Sequence, residues 1–144
     1  MSRSRRRSAL LTVAVAGAVA SLLTGMLTGC SSVSCAQWVA FESDEQRTES
    51  ADLVAVVADI RADGDMPIMG SLARAYLARV VEVTKGDAVI GDDIRIGSTA
   101  DNCASDPYGE GDQMLLGDPL RVYLTAGEQG YTTLTPFDGV QPLD

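Results

Sequence analysis

Apolar positions along this chain change their pattern twice. From Ala9 to Leu27 nineteen consecutive residues carry no charge, directly after Arg3, Arg5, Arg6 and Arg7. After residue 37 the pattern breaks into short runs punctuated by Gly, Pro, Asp and Ser. Trp38 to Phe41 is a brief apolar stretch, and Ser43-Asp44-Glu45-Gln46 has the form of a capping box, with Ser43 as N-cap and Gln46 at N3. That helix is expected to stop near Ser50, because residues 53–60 are β-branched and nearly continuously apolar, as in a strand buried on both faces. Ala62 to Asp65 should end this strand, and Met66 to Gly70 should form a loop or hairpin return. Residues 72–84 fit two periods: Leu72, Tyr76, Val80 and Val83 have helical spacing, whereas Leu77, Arg79, Val81 and Val83 would share one strand face. Ile94 and Ile96 mark a third strand, and 99–112 is a long polar loop containing Cys103, Pro107, Gly109 and Gly111. Residues 120–125 and 131–135 read as strands around a Gly127–Gly130 turn, and 136–144 as a tail without an element. The expectation is a mainly β fold, a small five-stranded barrel or sandwich with one short helix.

The leader changes the reading of composition and charge. Leu27-Thr28-Gly29-Cys30 resembles a bacterial lipobox, which implies cleavage before Cys30 and a diacylglyceryl group on its thiol. The division expected is a signal peptide over 1–29, a Ser-rich tether over 30–37 and a domain over 38–144. A plain transmembrane anchor or an ordinary secretory leader is the alternative, but Ala, Gly, Ser and Thr insert weakly compared with Leu or Ile. All three readings put the residues after 30 outside the cytoplasm, and the lipobox puts them on the extracytoplasmic face of the cell membrane. The whole-chain charge of −9 blends two opposite parts: beyond Cys30 there are seven Lys and Arg against twenty Asp and Glu, a balance of −13. Such a domain disfavours nucleic acid and anionic lipid, so membrane affinity must come from the lipid on Cys30. One Lys against ten Arg is the bias of a GC-rich, for example actinobacterial, genome. Of three cysteines, lipidation uses Cys30 and leaves Cys35 and Cys103 as an even pair in an oxidising compartment, with two free thiols as the alternative.

A cysteine near the mature start, Ala51-Asp52-Leu53-Val54 opening a strand, residues 81–87 (Val-Glu-Val-Thr-Lys-Gly-Asp) and a second cysteine after the third strand are together similar to the netrin-like, or tissue-inhibitor-of-metalloproteinase-like, superfamily. The resemblance covers roughly residues 35–135. It implies an OB-type five-stranded barrel, a strand over 72–84, and a disulfide between Cys35 and Cys103. Inhibitors of that superfamily bind the enzyme's zinc through the amine of an N-terminal cysteine. Cys35 follows Ser34 and has no free amine, and the second cysteine of their Cys-X-Cys is missing, so that activity is not implied.

Candidate chemistry is sparse. With no histidine the commonest general base and metal ligand is absent, and Ser–His or Cys–His nucleophiles are ruled out. Lys85 could only serve a Ser–Lys dyad from a tight turn, and Asp92-Asp93 reads as a solvated turn. Asp101, Asp106, Glu110 and Asp112 could gather calcium ligands but lack regular spacing, so a solvated acidic loop is preferred. Trp38 and Phe41 are read as packing, and Tyr108 as the exposed aromatic that makes a contact. The expected function is a non-catalytic binding module, without cofactor or metal, for an unknown protein or small molecule. An envelope enzyme with an unrecognised carboxylate or Ser site and a purely structural component are the competing classes.

Overall fold

The computed structural model describes residues 35–143; the expected signal peptide over 1–29, the expected lipidation site Cys30 and most of the expected tether lie outside them. The mainly β class and the single short helix are as expected. Helix α1 (Asp44–Ser50) precedes six strands, β1 (Leu53–Ile68), β2 (Ser71–Lys85), β3 (Asp93–Gly97), β4 (Leu120–Gly127), β5 (Gly130–Thr133) and β6 (Val140–Pro142). Five of them close on themselves in the order β1-β2-β3-β5-β4-β1. All pairings in this ring are antiparallel except β3–β5. No helix among the described residues is long and apolar enough to cross a membrane.

Helix α1 begins as its capping box dictates: the Ser43 hydroxyl accepts from Gln46 N at 3.3 Å, and Gln46 Oε1 accepts from Glu42 N at 2.9 Å. The start of β1, Leu53 to Val57, is buried at every residue because it is covered on both faces. Leu53, Ala55 and Val57 point into the ring against Val80, Ile96, Leu120 and Val122. Val54 points outward into a second cluster with Ala51, Tyr123 and Leu134. Alternation on a strand thus yields a continuous apolar run only because both faces find cover.

Two expectations need correction, and one open reading is settled as the resemblance implied. The first strand does not end at Ala62–Asp65 but continues to Ile68, with register shifts after Ala58 and Ala62. Asp59 (φ 54°) and Gly64 (φ 73°) take left-handed backbone there, so polar residues that resemble a strand end are bulges. The Asp118 carboxylate accepts from the backbone N of Asp59 and Ile60, both at 3.2 Å, and satisfies donors the bulge leaves over. The hairpin turns at Met69-Gly70, both with positive φ. Second, residues 71–85 are strand, which resolves the ambiguity over 72–84: pairing with β1 and β3 outweighs the helix propensity of Leu, Ala and Arg, and Leu72 of the helical stripe is 73% exposed. Third, the tail holds β6, paired with Leu120–Val122 of β4, which is too short and too near Pro142 to show a period.

Candidate functional site

Gly97 ends β3 where the far half of β1 crosses it; a Cβ there would collide with the Met66 sulfur. The chain then turns inward through Ser98, Thr99 and Ala100, all buried, and returns at Asp112 after an eleven-residue excursion over 101–111. The base of this excursion is a buried polar node. The Asp112 side chain is fully buried, and Oδ1 accepts from the Ser98 hydroxyl (2.5 Å) and from Met114 N (3.1 Å). Its Oδ2 accepts from the Tyr76 hydroxyl (2.7 Å) and from Arg74 Nη1 (3.4 Å). A second buried set lies beside it. Thr99 N donates to Thr133 Oγ1 (2.8 Å), the Thr99 hydroxyl to Thr133 O (2.6 Å), and Gln113 Nε2 to Thr135 O (2.8 Å). Buried polar groups with every partner in place fix one geometry. The loop is therefore held rigidly at its root.

Within the excursion, Gly111 N donates to Tyr108 O (2.8 Å) and Asp101 N to Pro107 O (3.1 Å), a compact loop packed on itself. Tyr108 is half-buried, not exposed as expected. Its hydroxyl donates to Ser98 O (2.8 Å) and accepts from Arg74 N (2.8 Å), and the Arg74 guanidinium lies over the ring at 4.2 Å. It pins the loop to β2, so a residue read as a contact is a clamp. Between this loop and the Pro136-Phe137 turn lies a cavity of about 180 Å³, walled by Asp101, Asp106, Tyr108, Glu110, Pro136 and Phe137.

The other sequence-predicted residues are placed as follows. Cys35 and Cys103 come together at the surface as free thiols. A hydrogen bond with Cys35 pushes the Cys103 thiol up to about 11. The N-terminal segment runs along the same loop: Ala36 N donates to Asn102 Oδ1 (3.1 Å) and Trp38 Nε1 to Asp101 Oδ1 (3.3 Å). Trp38 and Phe41 are half-buried and belong to neither core cluster. Lys85 Nζ donates to the carbonyls of Thr48 (2.8 Å) and Glu49 (3.1 Å) at the end of α1, where a cation complements the helix dipole. Asp93 is not simply solvated, since Arg61 (2.6 Å) and Arg79 (3.4 Å) pair with it, and the hydrogen bond from Arg61 holds its carboxyl below the usual range. Nor is the acidic loop uniformly solvated, because Asp112 is its buried root. Among the described residues no group of three or more Cys, Asp or Glu is placed to hold a metal ion.

The tyrosines supply a measurable consequence. Burial pushes the Tyr76 phenol well above its ordinary value, reinforced by Asp112, and burial also raises Tyr108 and Tyr123. A pKa raised in the folded state contributes stability that is whole below the unfolded pKa of about 10 and is lost as pH climbs through the folded value. Phenolate absorbance of the folded domain should therefore lag behind that of a urea-unfolded sample above pH 10, with the melting temperature falling there. Superimposable titration curves for the two samples would contradict this burial. Against models of known families, curated proteins and solved structures alike the chain shows no match, so the functional reading rests on this loop, its cavity and its residues.

Proposed function

We propose that this is a lipid-anchored, extracytoplasmic binding module without catalysis, which presents the cavity between residues 101–111 and the Pro136-Phe137 turn to a partner. The observation that carries the reading is the contrast between root and rim. The root is a closed set of buried hydrogen bonds, and the rim leaves Phe137 and Glu110 exposed to solvent. A rigid scaffold carrying an exposed aromatic beside a recess is the usual build of a recognition site. The serine and carboxylate nearest an enzyme pair, Ser98 and Asp112, are engaged in structure: Ser98 is 1% exposed, and Asp112 already has four donors. Membership of the netrin-like superfamily is part of the proposal, supported by the five-stranded ring and by the meeting of Cys35 and Cys103 at its surface.

Two readouts on protein taken from its own membranes test the proposal. Mass spectrometry should find an N-terminal peptide starting at a diacylglyceryl-modified Cys30. A photo-crosslinking side chain installed in place of the exposed Leu116, which lines an adjoining recess with Pro136 and Phe137, should give one discrete adduct in cells. An unmodified Cys30 refutes the anchor, and the absence of any adduct refutes the binding role.

A further inference from the structure

Beside the cavity lies a second recess of similar size, about 180 Å³, which shares Glu110, Gly111, Gln113, Pro136 and Phe137 with it and adds Leu116. The two form one groove with an apolar half and a carboxylate half. In the apolar half Phe137 and Leu116 are each more than half exposed, and Leu115, next in the chain, is exposed as well. Large apolar side chains gathered at a recess mark an interaction surface more often than scattered ones do. In the other half stand Asp101, Asp106 and Glu110, and among the described residues no Lys or Arg lines either recess.

The domain's own cations are committed elsewhere. Arg47, Arg61, Arg74, Arg79 and Arg95 pair with Asp44, Asp138, Asp93, Asp112, Asp59 and Asp63, Lys85 sits on the carbonyls of α1, and Arg121 lies beside Asp44 and Tyr123. None of these ion pairs reaches Asp101, Asp106 or Glu110. The charge a partner must bring is therefore positive, and this speaks against symmetric pairing of two copies through this face, since the matching face carries the same carboxylates. It equally excludes a nucleic acid or an anionic lipid headgroup.

We propose that this groove receives an extended cationic segment of a partner protein, with an aliphatic or aromatic side chain against Phe137, Leu116 and Pro136 and Arg or Lys at Glu110, Asp106 and Asp101. A segment fits better than a compact amine because the apolar and acidic halves are adjoining recesses, and one occupant must carry both features. The inference rests on the binding role proposed above and names the chemistry of its partner.

The test uses the full-length protein in neutral detergent and three fluorescein-labelled hexapeptides: Leu-Arg-Phe-Arg-Leu-Arg, a version with Glu for Arg, and a version with Ser for Leu and Phe. Saturable binding is expected for the first alone, weakened by salt. Affinity should fall about tenfold in Phe137→Ser and in Glu110→Gln, each worth roughly one lost contact of this kind. Both residues are exposed, and unchanged melting temperatures will show that the variants fold. Asp87→Asn, two residues past the end of β2 that lies away from Arg74, should leave affinity unaltered. Equal weakening in Asp87→Asn would expose diffuse charge attraction and overturn the proposal, as would the absence of saturable binding. Binding of the Glu peptide, lost in Phe137→Ser, would overturn the cationic assignment while leaving the binding role intact. That role falls only if Leu116 crosslinking in cells also yields no adduct.

Discussion

Asp112→Ala should destabilise the domain by about 3–5 kcal/mol, because one substitution strips several buried donors of their acceptor. The carboxylate serves four donors from three parts of the chain, and its side chain is fully buried. Without it the hydroxyls of Tyr76 and Ser98 and the Met114 N–H lose their acceptor in a dry environment, each a penalty of about 1–3 kcal/mol if no water enters. Asp112→Asn should do less damage, since its carbonyl can still accept from Ser98 and Met114. Arg74→Ala should matter less again, at about 1 kcal/mol, because the Arg74 side chain is half exposed and its bond to Asp112 is the longest of the four. Urea unfolding of the three variants checks the ranking. If Arg74→Ala proves as harmful as Asp112→Ala, the ion pair and not the hydrogen-bonded node holds the loop.

A disulfide between Cys35 and Cys103 carries the second large expected effect. Protein recovered from its native cells should be lighter by two hydrogens than its reduced form, and reduction should lower its stability by about 4 kcal/mol, the chain-entropy value for a loop of about 70 residues. Cys103→Ser should show the same loss and no further response to reductant. The high-lying Cys103 thiol is a weak nucleophile at neutral pH, so closure is expected to need a disulfide-bearing oxidant that takes up both electrons as the two protons leave. Identical unfolding curves with and without reductant would show that the thiols stay apart.

What the sequence made legible divides by range. Ser43 and Gln46 announce α1 because a cap is a local bargain between neighbouring residues. The buried start of β1 and the β4–β5 hairpin are legible for the same reason, through β-branched runs and a glycine turn. The long arm of β1 is hidden because its bulges at Asp59 and Gly64 use the same residues that end strands elsewhere. The period of β2 is undecidable locally, since its strand state depends on β1 and β3. At the site, the loop's polarity and its cysteines are visible, but the roles of its side chains are not. Tyr108 and Asp112 look alike as loop residues, yet each is defined by partners on β2 more than thirty residues away. Phe137 lies in what reads as a tail, and only the pairing of β6 with β4 brings that turn against the loop.

The contact of Cys35 with Cys103 also sets a leash. If Cys30 bears the lipid, four residues separate it from Cys35 at the surface of the fold, and the five residue steps between the two reach at most about 17 Å. That is well short of a small domain's diameter, about 30 Å. Because residue 103 belongs to the loop that walls the cavity, the mouth of the groove would sit close to the bilayer. A partner would then meet it by lateral diffusion along the membrane plane, and a soluble protein arriving from the medium would find the far side of the strand ring first.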